Sequence, residues 1–331
     1  MTLTILSIRG IMVAIIQEKV SQVFNEVQKD GTRFKCSESY VRKFLHKMGW
    51  SERRATKAAQ KLPVNHEEVL KEAHLREAHS ICDYNIPAAL QVNTDQTQMV
   101  YQHGTNRTWN ESGVKQVATV GQEEKRAFTL VPSISASGVL LPMQAVFSGK
   151  TGASCPNAMA PAYDEAIKLG FKMVPSKTGT YWSTEATMES LVNEIIAPYF
   201  NRTKEELGLP STQHSIWKID CWSVHKSAEF RAWMKKNHPT IIVLFIPGGC
   251  TGLWQPLDVG IQRILKLSIR RAAHRNIVKE ASDQIAKGDE IIKLDTTLGT
   301  LRNRAVGWVV DAIHEINKKE IIMKVNTYCF E

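Results

Sequence analysis

Apolar residues recur at helical spacing near the start of the chain. Met12, Ile15, Ile16, Val20, Val23, Phe24 and Val27 form one stripe, which predicts an amphipathic helix. A polar break over 29–35, containing Asp30-Gly31, reads as a turn. Ser37 then stands as the N-cap of a short helix whose apolar face is Tyr40, Val41, Phe44 and Leu45. Pro63 closes this section, and a further helical pattern over 67–83 leads as a connector to Pro87. From Leu90 the period changes to two: Leu90 and Val92 alternate with Gln91, Asn93 and Asp95, as in a strand. Runs 127–136 and 139–148, separated by Ser137-Gly138, predict a hairpin. Residues 148–181 are rich in Gly, Pro, Ser and Thr around a short helical piece at 164–169, and Ser183 or Thr184 caps a helix to about 199.

The second half follows the same logic. Ile216 to Cys221 is a short apolar run containing Asp220, residues 228–236 are helical, and 241–246 is an unbroken apolar run expected to be a buried central strand. Pro247-Gly248-Gly249 ends that strand, and a long helix runs from Gln255-Pro256 to about 286. Three strands followed by strand–helix–strand–helix predict an α/β fold with a mixed sheet flanked by helices. The expected organisation is an all-α segment (1–66), a helical connector (67–86), an α/β domain (87–285) and a C-terminal helical extension (286–331). Residues 318–331 have no readable role, although Ile321, Ile322 and Val325 would suit an edge strand.

Composition narrows the partner. The 331 residues carry a formal net charge of +9, with 43% hydrophobic and 23% charged residues. That balance can bury a core, and its positive excess suits a polyanion, since Lys and Arg bound to phosphates release condensed counterions. Six cysteines, none in C-x-x-C spacing, indicate neither a zinc ribbon nor a disulfide framework. The apolar start is interrupted by Arg9 and runs into a charged helix, so no signal peptide is expected. No stretch reaches the roughly 20 apolar residues of a membrane span, and no membrane partner or small-molecule cofactor is expected.

Three acids stand at element ends: Asp95 after the first strand, Asp220 at the end of the fourth, and Asp258 at the opening of the long helix. Carboxylates suit hard cations such as Mg2+ or Mn2+, which assist in-line phosphoryl displacement in pairs. The spacing of 38 from Asp220 to Asp258 leaves room for a helix and a strand, so convergence is permitted. Solvated capping acids are the alternative. The surrounding words are Asn93-Thr94-Asp95-Gln96-Thr97, Lys218-Ile219-Asp220-Cys221-Trp222-Ser223-Val224-His225 and Gln255-Pro256-Leu257-Asp258-Val259-Gly260. In this order they resemble the three catalytic blocks of the pogo/Tigger-like DDE transposases, most specifically over the stretch from Pro247 to Gln262, and the likeness spans roughly 87–274. It implies an RNase H-like fold, metal-binding Asp95, Asp220 and Asp258, and DNA hydrolysis followed by strand transfer. It also implies a nuclear location and a homodimer. Cys221 departs from the asparagine common in that family and is given no ligand role. His225 matches a family histidine; it would assist proton transfer or orient a phosphate, or else serve a structural bond.

Residues 37–63 resemble the closing half of a centromere-protein-B-type helix-turn-helix. By that likeness Arg42, Lys43 and Lys47 would meet a DNA groove while Arg53, Arg54 and Lys57 follow the backbone. Family members carry two such modules, whereas the 36 residues before Ser37 leave room for about one. Arg263, Lys266 and Arg270 share one face of the last long helix and would steer a DNA strand, or form ordinary charged surface. Tyr181-Trp182 and Leu253-Trp254 would either pack in the core or stack on a flipped base. Two other functions stay open: a degenerate or domesticated transposase that binds DNA without catalysis, and an RNase H-like nuclease acting on RNA or hybrids.

Overall fold

A computed structural model describes residues 5–27, 31–50, 63–101, 126–287, 293–318 and 321. Two compact units divide the chain, Met1–Ala59 and Gln60–Glu331. Arg53, Arg54 and Lys57 lie outside the described residues, as do Ile322 and Val325.

In the first unit, α1 (Ile5–Val20) runs into a short 3-10 turn (Ser21–Phe24), and α2 (Glu38–Lys47) packs against α1. Ser37 caps α2, its Oγ accepting the Tyr40 N–H at 3.2 Å. A bridge between Val27 and Arg33, a tilted ring contact of Phe34 with Phe24 and an edge-to-face contact of Phe34 with Tyr40 tie the ends of the intervening turn. The core is thin. Val41 and Cys36 are buried, whereas Ile15, Val20 and Val27 from the expected stripe are exposed.

The second unit opens with α3 (His66–Tyr84), which leads to β1 (Gln91–Thr94) and β2 (Thr97–Val100). Next come β3 (Ala127–Val131), β4 (Ser133–Ser135), β5 (Gln144–Phe147), α4 (Tyr163–Lys168) and β6 (Lys172–Pro175). A continuous helical stretch follows, α5 (Glu185–Leu191), a π turn (Val192–Ile196) and α6 (Ala197–Glu206). The remainder is β7 (Ser215–Asp220), α7 (Ser223–Lys226), α8 (Ala228–Asn237), β8 (Ile241–Ile246), α9 (Thr251–Trp254), α10 (Gln262–Ala286) and α11 (Leu298–Ile316).

Among the described residues hydrogen bonding gives two four-stranded sheets, β4-β1-β7-β8 and β2-β3-β5-β6. They meet at one crease. β1 and β2 are successive pieces of one strand, and so are β3 and β4. Pro132 separates the latter pair and, having no N–H, cannot complete the ladder there. The Asp95 N–H still reaches the Pro132 carbonyl at 3.2 Å. Read through the crease, β7 and β8 run parallel to β1 while β3 and β4 run antiparallel to their partners, which is the strand order of an RNase H-like sheet with β6 added. β8, expected to be central, is instead an edge strand among the described residues, with Ile241, Leu244 and Ile246 buried and Ile242, Val243 and Phe245 half-buried. Its apolar run reflects cover on both faces, not a central place.

Alternate side chains enter two cores. Val131 and Val146 join Leu90, Val92, Trp217 and Phe230 on one face, packed by α5, α6 and α8. Leu130, Ala145 and Phe147 face the other way, where α10 and α11 close the second core. Among the described residues no helix is long and apolar enough to cross a membrane.

Candidate active site

Because side chains alternate along a strand, Asn93 and Asp95 point away from Val92, and Lys218 and Asp220 point away from Trp217. Both pairs lie at the carboxyl ends of the parallel strands β1 and β7, where ligands of open α/β sheets usually sit. The third acid needs the chain after β8 to fold back. Gly249, at φ +78°, makes that turn possible, and Gly248 lies so near Cys221 that an added Cβ would meet its sulfur at 3.3 Å.

An amide clamp then fixes the returning chain. Buried Asn93 donates to the Lys218 carbonyl at 3.1 Å and to Gln255 Oε1 at 3.3 Å, and its Oδ1 accepts the Leu257 N–H at 3.2 Å. Gln255 Nε2 donates to the Thr94 carbonyl at 3.3 Å. One asparagine therefore joins the strand of Asp95, the strand of Asp220 and the residue before Asp258. A π turn over Leu257–Ile261 begins the long helix, burying Leu257 and Ile261 while leaving Asp258 exposed. Such wide turns are frequent at functional sites.

Asp95 is 9% exposed. Its Oδ1 accepts the Gln96 N–H at 2.8 Å, and its Oδ2 accepts a short hydrogen bond from Gln262 Nε2. Burial pushes its pKa up to about 7, with the negative charges of Asp258 and then Asp220 adding to the rise; hydrogen bonds from Gln96 and Gln255 oppose it. Asp95 thus feels both other carboxylates, although among the described residues no three His, Cys, Asp or Glu side chains close around a single point. By chemistry the donor set fits a hard divalent cation: oxygen ligands whose mutual repulsion a positive ion would relieve.

His225 is almost wholly buried, among Trp217, Trp222 and Phe230. Its Nδ1 lies 3.0 Å from Asp220 Oδ1 and 3.1 Å from the Asp220 carbonyl, two acceptors that call for a proton on that nitrogen. The geometry is that of a residue that orients Asp220. Cys221 is half-buried against the Gly248 turn.

Gln262, to which the sequence reading gave no role, links the site to the cations. Its Oε1 accepts from Thr97 Oγ1 and from Lys266 Nζ, each at 3.1 Å. Its place four residues after Asp258 was the available signal, since such a pair shares a helix face. Arg263 and Arg270 are exposed on the same helix, and Arg42, Lys43 and Lys47 are exposed on α2 of the first unit. Asn93 and Gln255 were likewise missed; only their flanking of two candidate acids hinted at them.

Comparisons with known proteins bear on the family. The chain is similar to the pre-cleavage Mos1 transpososome (11% identity, 97% of this chain and 79% of the other, TM-score 0.44) and to the Mos1 strand transfer complex (11% identity, 96% and 73%, TM-score 0.44). It is also similar to the catalytic domain of Mos1 mariner transposase (10% identity, 82% and 98%, TM-score 0.38). No residue role transfers at such distances. No curated protein matches the sequence. The family described as DDE superfamily endonuclease matches residues 125–324, which takes in Asp220 and Asp258 and begins after Asp95. That match covers more than half of the sequence, and the chain belongs to the DDE superfamily of endonucleases.

Proposed function

We propose that this protein is a transposon-derived, Mg2+-dependent DNA endonuclease and strand transferase, with Asp95, Asp220 and Asp258 as the metal-holding acids. The supporting observation is that Asn93, on the strand of Asp95, bonds to the segments that bear Asp220 and Asp258, and that these two carboxylates raise the proton affinity of Asp95. Asp95, Asp220 and Asp258 would hold Mg2+ or Mn2+, which would supply activation of a water and charge stabilisation for a leaving 3′-oxygen. The chain's own residues orient the acids. Gln96 and Gln262 fix the two oxygens of Asp95, and His225 fixes Asp220. Lys266 sets a cation beside this assembly through Gln262, and Arg263 and Arg270 continue the positive face along which a phosphate backbone would lie.

The finer reading is a pogo/Tigger-like enzyme with its catalytic portion over 87–285. A partial centromere-protein-B-type module would grip DNA through Arg42, Lys43 and Lys47, with Arg53, Arg54 and Lys57 along the backbone. DNA is the partner, a homodimer the working form and the nucleus the location. The rival is a domesticated protein that binds DNA without cutting it.

Mg2+-dependent nicking of supercoiled plasmid separates the two. Asp95→Ala, Asp220→Ala and Asp258→Ala should each lower the nicking rate by about 100-fold or more while far-ultraviolet circular dichroism stays unchanged. A triple-alanine variant that nicks as fast as the parent would remove the assignment. Calorimetry with Mn2+ should show heat of binding for the parent and none for the triple variant.

A further inference from the structure

The loop between β6 and α5 is held unusually firmly for an exposed segment. Ser176 Oγ donates to the carbonyls of Thr178 at 3.2 Å and Thr180 at 2.5 Å, and the Gly149 N–H reaches the Thr178 carbonyl at 3.1 Å. Ser148 Oγ donates to the Gly179 carbonyl at 3.0 Å. At the loop's end Tyr181 is pinned twice. Gln98 Nε2 donates to its phenol oxygen at 2.6 Å, and Thr129 Oγ1 donates to its carbonyl at 2.7 Å. Gln98 and Thr129 are register partners across β2 and β3, so the loop is fastened to the sheet itself.

What this platform presents is Trp182, which is 50% exposed and therefore not a core residue. Its ring lies 5.1 Å from that of Tyr181. Beside the two aromatics opens a cavity of about 520 Å³, with Arg126, Arg302, Gln98 and Tyr101 in its wall. Arg126 donates to the Thr296 carbonyl at 2.7 Å, and Arg302 donates to the Ala153 carbonyl at 3.3 Å and hydrogen-bonds the Tyr101 side chain. Two fixed positive charges thus stand next to a fixed, half-exposed indole.

That combination suits a base and its phosphate. Aromatic faces accept any base by stacking, and guanidinium groups bind phosphate oxygens. The volume lies within the range of small-ligand sites. Within a duplex each base is covered by its neighbours, so only an unpaired base can offer its face to Trp182. Gln98 lies three residues beyond Asp95 on the same broken strand, with its side chain on the opposite face. We propose that this cavity holds an unpaired nucleotide of the DNA strand being processed, its base stacked on Trp182 and its phosphate set against Arg126 and Arg302. The inference rests on the nuclease reading above and adds to it a second contact, away from the acids.

The test uses the full chain and two short DNA duplexes, one fully paired and one with a single unpaired 2-aminopurine. Anisotropy of an end label reads affinity, and 2-aminopurine fluorescence reads stacking. The parent should bind the DNA with the unpaired base about tenfold more tightly and quench its fluorescence. Trp182→Ala should lose both the preference and the quench while binding paired duplex as the parent does, and Trp182→Phe should keep the quench. If paired duplex binds but the preference is absent, or survives in Trp182→Ala, the cavity assignment is wrong and the nuclease reading stands. If neither DNA binds, both fall together.

Discussion

Asp95 carries the sharpest conflict in the molecule: a carboxylate nine-tenths out of water, beside two others, with only amide donors to steady it. Its pKa rises from 3.8 to about 7, so between those values the folded chain holds a proton that the unfolded chain releases. The resulting stabilisation is complete below pH 4 and disappears as pH rises through about 7. In metal-free buffer, the melting temperature contributed by this group should fall across that window. Asp95→Asn should flatten the profile, and added Mg2+ should restore stability near pH 7 in the parent alone. Overlapping parent and Asp95→Asn profiles would show that the carboxylate is not under this stress. The sequence nominated all three acids through the words around them. It could not show that His225 turns its Nδ1 to Asp220 inside an aromatic cage, because Trp217 and Phe230 reach that cage from different elements.

Elements owe their positions to a few contacts between distant segments. α3 is tied to the sheet by a buried ion pair between Glu77 and Lys218, and Lys218 Nζ also lies 4.7 Å above the Trp254 ring. A helix, a strand and the turn that returns towards Asp258 thereby share one cation. Glu77→Ala would leave Lys218 charged and unpaired in a site that excludes water, at a cost of roughly 3–5 kcal/mol. Urea unfolding measures it; a loss under 1 kcal/mol would mean the pair is hydrated or easily replaced. The strands of 91–94, 127–136, 215–220 and 241–246 were legible from alternation or apolar runs. β2 and β6 were not. β2 is a four-residue continuation beyond the Asp95 break, and β6 has only four residues and ends in Pro175, so neither has a period of its own. The edge place of β8 was misjudged because an apolar run reports cover on both faces and says nothing of neighbours.

Taken whole, the larger unit is closed by its last described helix. Leu301, Val306, Trp308, Val309 and Ile313 of α11 are buried in the core shared with α10 and the β2–β3–β5 face. At about 1.5–3 kcal/mol for each buried large side chain, their removal forfeits on the order of 10 kcal/mol. Typical domains hold only about 5–15 kcal/mol in total. A chain ending at Thr297 should therefore lose its cooperative urea transition and its near-ultraviolet dichroism. Retention of both with an unchanged midpoint would show α11 to be an ornament to the fold.

The one-dimensional pattern by itself determined where most elements lie, the excess of positive charge, and which acids have the neighbours expected of a metal-dependent nuclease. These are local properties: periodicity, turn residues and short words are written in consecutive positions. Tertiary structure decided the crease at Pro132, the Asn93–Gln255 clamp, the link from Lys266 through Gln262 to Asp95, and the indole left half in solvent at Trp182. The first three depend on groups up to 167 residues apart meeting at hydrogen-bond distance. Directional bonds and burial arise only once the sheet has brought its strands together, and no spacing along the chain encodes them.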